Sequence, residues 1–324
     1  MLMDYLPRSF LLFFFITAFV VTLKRCRAIV LVNIVACTIV LFSCLKYGGY
    51  SSDGRYTIPD SMFFSNSNDL ALQLLLGITF FVYLFYQSGL FKKLFAAIAI
   101  TISFVFMLRT GSRGCLLAAC AYAIMVFFFS KQKALLVALG MIAITIGFAT
   151  LPGVTLRRLA LLGFDDSIES TDSSAVDSGM QRKELVKTSI QKTLTHPLFG
   201  VGPGQFAVAV AGAAMQRGEW ASWVGTHNSY TQVSSECGIP AFLAYCAVIV
   251  LCFRLNYRMF QATRNNSSYE DIAALSFTLL SGTCVYSIGT LFFHMAYTSN
   301  LPTLSGLTVA LYLTAKPALD QKRV

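Results

Sequence analysis

Long apolar runs alternate with short polar connections along this chain. Nine runs approach the length of a membrane span: residues 9–23, 28–45, 69–86, 94–109, 114–130, 134–150, 229–253, 272–293 and 298–315. A helix rises about 1.5 Å per residue and the hydrocarbon core is about 30 Å thick, so roughly twenty residues are needed to cross it. The first run is short on that measure and is expected to extend back through Leu6. It has no basic leader and no clear small-residue cleavage site, so it reads as a retained helix. The stretch 151–226 breaks the rhythm and is far longer than an ordinary connection. The pattern predicts an all-α polytopic membrane protein with about nine transmembrane helices in three parts. These are a six-helix region over 1–150, a long loop over 151–226 and a three-helix region over 227–324.

The loop has an internal pattern. Phe164 to Gly179 is rich in Asp and Ser and reads as a surface stretch. Ser178 with Gln181 resembles a capping box. Leu185, Val186, Ile190 and Leu194 then fall at helical spacing, with Arg182, Lys183, Lys187 and Lys192 among them, so an amphipathic helix is predicted. Pro197 limits it, and the GVGPG stretch at 200–204 forces tight turns.

Composition agrees with the membrane reading: 56% of residues are hydrophobic and only 12% are charged, against about 25% in soluble proteins. The net charge of +10 reports on topology. Lys24, Arg25, Arg27, Lys92, Lys93, Lys131, Lys133, Arg254, Arg258, Arg264, Lys316, Lys322 and Arg323 fall on alternate connections and at the C-terminus. The other short connections and the N-terminus hold only Arg8, Lys46, Arg55, Arg109 and Arg113. Thirteen against five puts the richer set in the cytoplasm, with the N-terminus and the 151–226 loop outside. No basic soluble arm exists that would bind nucleic acid. The nine cysteines show no ligand spacing and lie mostly in apolar runs, so neither a metal site nor a disulfide framework is expected.

Candidate chemistry gathers around the loop. Residues 226–238 read THNSYTQVSSECG. On a helix starting there, His227, Tyr230, Thr231 and Ser234 form a polar stripe, which must face protein or water rather than lipid. His196 and His294 read as a helix-end and a membrane-edge residue. Glu236 lies half a turn from His227 on a regular helix, so it reads as a helix-packing group and not as a dyad partner. Arg109 and Arg113 bracket a short TGS turn, where arginine either snorkels to headgroups or clamps an anion through its planar fork. Arg182 reads as a solvated helix charge on spacing alone. The GVGPG amides suit either a chain reversal or a phosphate. Asn66, Asn68 and Asp69 suit an N-cap or a substrate contact.

Four segments in order resemble the O-antigen ligase and O-antigen polymerase superfamily of bacteria: FFSNSNDLALQLLL (63–76), TGSRG (110–114), Gly179 through Arg182 to HPLFGVGPGQF (196–206), and THNSYTQVSSECGIPAFLAY (226–245). The resemblance implies a GT-C-like helical glycosyltransferase of the bacterial cytoplasmic membrane whose active face is external. It implies a donor glycan on a polyprenyl pyrophosphate and an acceptor hydroxyl, with no cofactor, nucleotide or metal, and inversion at the anomeric centre. On matching positions, Arg113 and Arg182 would bind the pyrophosphate and His227 would serve as general base. Arg109, Asn68, Tyr230 and Glu236 are candidate supporting residues. A lipid A-core acceptor would make the enzyme an O-antigen ligase. A growing glycan would make it an O-antigen or exopolysaccharide polymerase, and a Ser or Thr side chain a protein O-oligosaccharyltransferase. Family members commonly carry more spans than the nine read here, which bears on the lateral wall for the lipid more than on the catalytic face. A lipid-linked glycan transporter or flippase is the rival of a different class. It would need a charged pathway, and the sequence shows few mid-span charges and no repeat.

Overall fold

The computed structural model describes residues 2–52, 54–61, 63–87, 89–129, 133–153, 155–156, 173–216, 218 and 223–320, and no side chain of residues 2–6, 173–181 or 317–320. The Asp/Ser-rich stretch up to residue 172, and Lys131, Lys322 and Arg323, lie outside the described residues. Each of the nine predicted runs carries a helix: α1 (Leu2–Phe19), α2 (Leu23–Tyr47), α3 (Ser67–Tyr86), α4 (Leu90–Arg109), α5 (Arg113–Phe129), α6 (Lys133–Thr150), α9 (Ser229–Thr263), α10 (Glu270–Gly289) and α11 (Asn300–Asp320). Among the described residues, six helices are long and apolar enough to cross a membrane: α2, α3, α4, α6, α9 and the stretch containing α10. The protein is an all-α polytopic membrane protein.

Two further helices come from the loop. The amphipathic helix α7 (Ser173–Thr195) starts five residues before the predicted cap, so Ser178 is inside it and not at its N-terminus. The second, α8 (Phe206–Gln216), was not foreseen. Its 11 residues are too few to span. The departure from pure helix is a two-residue antiparallel hairpin, β1 (Gly49–Tyr50) with β2 (Tyr56–Thr57). The Tyr56 hydroxyl donates to the carbonyl of Cys44 at 2.7 Å, pinning the hairpin to the end of α2.

Helices α3 and α10 form the centre. Of their most apolar windows 83% and 72% are inside the protein, against 11% for α6 at the lipid-facing rim. Leu72, Leu75, Phe81, Leu279 and Leu280 fill this centre. The first six helices and the last three share it, since α10 packs on both α3 and α5, and α11 on α1. Lipid tails are as apolar as leucine, so close packing and buried polar pairs supply the association. One such pair is Asn256, whose Nδ2 donates to Thr308 Oγ1 at 2.8 Å between α9 and α11.

Helix α9 is broken. Gly238 has φ 85° and ψ 175°, and Pro240 follows. The loop enters this break. The amides of Val201 and Gly202 donate to the carbonyls of Ser235 and Glu236 at 2.9 and 3.0 Å, and the amide of Ile239 donates to the Pro197 carbonyl at 2.7 Å. The two chains approach so closely that glycine is required on both. A Cβ on Gly238 would stand 2.3 Å from the Leu198 oxygen, and one on Gly200 would stand 2.3 Å from the Glu236 carbonyl carbon. We predict that Gly238→Ala lowers stability by about 2 kcal/mol or more through strain and overlap. Gly212→Ala, where a Cβ meets nothing within 4 Å, serves as control and leaves stability nearly unchanged. Thermal unfolding of the two purified variants in one detergent checks the difference.

Candidate active site

The TGS turn is built by local bonding at the end of α4. The Gly111 amide donates to the Leu108 carbonyl at 3.0 Å, and Gly111 takes φ 62°. Arg113 thereby becomes the first residue of α5. A residue that sequence reasoning counted only as an external charge fixes this turn. Arg55, beside the hairpin strand β2, donates from Nε to the Thr110 carbonyl at 3.0 Å and from Nη2 to Asn68 Oδ1 at 2.6 Å. Asn66 is the N-cap of α3, its Oδ1 accepting from the Asn68 amide at 2.8 Å. One guanidinium therefore ties the Asn-rich start of α3 to the turn that presents Arg113. Its signal was faint, because nothing in the spacing links residue 55 to residues 68 and 110. Arg109 takes no part in this knot; its guanidinium lies 5.7 Å from the Phe106 ring centroid.

His227 precedes α9 instead of heading it. Asn228 is the N-cap, its Oδ1 accepting from the amides of Tyr230 and Thr231 at 2.9 and 3.1 Å. His227 has φ +51°, a region that non-glycine residues seldom adopt. The predicted stripe therefore does not run down one face from the imidazole. Tyr230 donates its hydroxyl to the Ser287 carbonyl at 2.9 Å, and Ser234 shares a 2.9 Å bond with Thr193 of α7. Around His227 the chain is sewn to the segment after α10. The Ser229 amide donates to the Thr290 carbonyl at 2.8 Å, its hydroxyl donates to the Phe293 carbonyl at 2.7 Å and accepts from the Met295 amide at 2.8 Å, and Asn228 Nδ2 donates to the Leu291 carbonyl at 3.0 Å. This stitching brings His294 edge-on to His227, with ring centroids 5.3 Å apart. The membrane-edge reading of His294 misses that proximity, since the two histidines are far apart in sequence.

Arg113, Arg182 and His227 line one cavity of ≈ 680 Å³, together with Lys183, Lys187, Thr226 and an apolar floor that includes Leu117, Val186, Ile190 and Phe292. The cavity combines four basic side chains and a histidine with hydrocarbon, and among the described residues its lining has no carboxylate. Burial lowers the pKa of His227 to about 4, and electrostatic interactions with His294, Arg182 and Arg55 act in the same direction. The imidazole is neutral at pH 7.

The two remaining candidates are engaged in structure. The Glu236 carboxylate accepts from the amides of Gly204 (2.8 Å) and Phe206 (3.3 Å) and from the hydroxyl of Tyr297 (2.7 Å). It sits at the N-terminus of α8, where a negative charge is favoured. Burial and this carboxylate push the Tyr297 phenol well above its ordinary value, so it stays a donor. Glu236 thereby ties α9 to the start of α8 and to the segment before α11. The glycine turn has no phosphate-binding amides to spare: those of Gly200, Val201, Gly202, Gly204 and Gln205 all bond within the protein. Asn68 likewise gives its carbonyl oxygen to Arg55.

A titration checks the electrostatics. Histidine NMR should place one imidazole near pH 4, and Arg182→Gln should raise that value towards 6.5, because losing a cation favours the protonated form. Folding lowers this pKa, so the stability it carries is complete above pH 6.5 and lost as the pH falls towards 4. An unmoved value in the variant would separate Arg182 from His227.

Comparison with known proteins bears on the same residues. A search of curated proteins returns no match for the chain. Residues 97–246 match the family model described as O-antigen ligase, a segment that holds Arg113, Arg182, His227 and Glu236. That segment is similar to the O-antigen ligase family, and the likeness supports a ligase- or polymerase-type membrane glycosyltransferase.

Proposed function

We propose that the protein transfers a glycan from a polyprenyl pyrophosphate to an acceptor hydroxyl at the external face of the bacterial cytoplasmic membrane, most readily as an O-antigen ligase using a lipid A-core sugar. The observation that carries this reading is the convergence of Arg113, Arg182 and His227 on one cavity lined by both cations and hydrocarbon. A polyprenyl pyrophosphate has the matching chemistry, a dianionic head on an apolar tail. Arginine forks can hold two phosphates bidentately. As the glycosyl–oxygen bond breaks, charge grows on the leaving pyrophosphate, and preorganised cations stabilise it more in the transition state than in the ground state. The arginines then fill the role a metal ion would otherwise take.

His227 would take the proton of the attacking hydroxyl, with attack opposite the leaving group inverting the anomeric centre. Its low pKa keeps it unprotonated. Bound pyrophosphate offsets the nearby cations and raises the basicity of the imidazole as the donor arrives. In this reading nine helices cross a GT-C-like bundle, the 151–226 loop is external and the C-terminus is cytoplasmic. A transporter would need a polar path across the bundle, whereas the middles of α3 and α10 bury Leu75, Phe81, Leu279 and Leu280 and hold the hydroxyls of Thr79, Thr278, Ser281 and Thr283 on carbonyls of their own helices. Polymerisation and protein glycosylation use the same donor chemistry and differ in acceptor.

The test is transfer by purified protein from a polyprenyl-pyrophosphate glycan, with lipid A-core, glycan and peptide acceptors, in EDTA. Transfer should survive the chelator and select the lipid A-core acceptor. His227→Ala, Arg113→Ala and Arg182→Ala should each reduce it at least about a hundredfold, the usual scale for a catalytic base or an oxyanion-stabilising donor. Variants as active as the parent would refute the site, and selection of another acceptor would rename the activity.

A further inference from the structure

The end of the bundle away from His227 holds a second cavity, of ≈ 610 Å³, between the ends of α3, α5 and α9 and the starts of α4 and α10. That volume is in the range of ordinary ligand sites. One wall is aromatic: the rings of Phe129 and Phe260 are 6.0 Å apart, and those of Phe260 and Phe277 are 5.4 Å apart. Around the phenyl wall stand charges of both signs. Lys93 and Arg264 supply two cations, with the Arg264 guanidinium 5.9 Å from the Phe260 centroid, and Glu270 supplies an anion in the first turn of α10. Asp271 also lines the cavity but is paired with Arg27 of α2. Among the described residues, Lys93, Arg264 and Glu270 form no ion pair. The cavity thus offers two cations, one carboxylate and an apolar wall.

We propose that this cavity binds a phospholipid with a phosphoethanolamine headgroup. The phosphate accepts hydrogen bonds from Lys93 and Arg264, the primary ammonium donates to Glu270, and one acyl chain lies along Phe129, Phe260 and Phe277. A phosphoglycerol headgroup carries the phosphate without the ammonium and leaves Glu270 unmatched beside added negative charge. A phosphocholine headgroup has no N–H to donate to the carboxylate. The site is separate from the glycan-transfer cavity and independent of what that cavity transfers. It links the ends of five helices, including α10, whose other end leads into the segment that carries His294.

Native mass spectrometry of the intact protein, titrated in detergent with dioleoyl lipids bearing each of the three headgroups, tests the proposal. The phosphoethanolamine lipid should bind at least about fivefold more tightly than the other two, a difference of about 1 kcal/mol. Lys93→Gln and Arg264→Gln should each weaken it. Glu270→Gln should weaken the phosphoethanolamine lipid while strengthening the phosphoglycerol one, a reversal that misfolding does not produce. Glycerophosphoethanolamine, which lacks acyl chains, should bind at least about tenfold more weakly than the lipid. Equal binding of the three lipids, a phosphocholine preference, an unchanged ranking in Glu270→Gln, or equal binding of the chainless headgroup would each overturn it.

Discussion

Glu236 carries a carboxylate into the interior of the protein, and such a charge is tolerated only when donors converge on it. Two amides at the start of α8 and the Tyr297 hydroxyl do so. The carboxylate stands two residues before the point where α9 breaks, and the backbone of the glycine turn fills that break. Together these bonds dock the long loop onto the bundle. Helix α7 ends only a few residues before the turn, and a Thr193–Ser234 bond adds a second tie. The position of Arg182 relative to His227 is set by this docking together with the packing of α7 on α9.

A similar economy holds on the other side of the cavity. Arg55 joins the start of α3 to the TGS turn, so Arg113 projects from a fixed helix end. The Ser229 and Asn228 bonds to residues 290–295 fix the strained backbone of His227. Backbone strain persists where surrounding bonds over-determine it, and here it brings the imidazole into a cavity lined by guanidinium groups. The low dielectric that desolvates His227 also strengthens the attraction between those guanidinium groups and any phosphate that enters.

Much of this was legible in the chain. Each of the nine apolar runs carries a helix, and among the described residues six helices are long and apolar enough to cross a membrane, because spanning a bilayer imposes a length that few other constraints mimic. Arg113, Arg182 and His227 stood out as basic or titratable groups beside apolar runs, and the family resemblance grouped them. What was hidden depends on contacts between distant residues. Nothing near Arg55 announces that it bonds Asn68 and Thr110. The break at Gly238 lies inside a run that reads as one helix until the loop is seen to enter it. The GVGPG turn suggested amides open to phosphate, but a carboxylate and two carbonyls from α9 take the amides of residues 201, 202 and 204. Helix α8 was missed because eleven residues are too few for a span and were absorbed into the loop.

The central claim is that the two arginines hold the donor pyrophosphate while His227 faces the reacting carbon. A structure of the protein in lipid nanodiscs with a non-transferable polyprenyl-pyrophosphate glycan analogue tests it most directly. The account predicts both phosphates between Arg113 and Arg182, with the anomeric carbon on the His227 side and the polyprenyl chain over Leu117 and Ile190. Phosphates bound elsewhere, or a sugar directed away from His227, would contradict it.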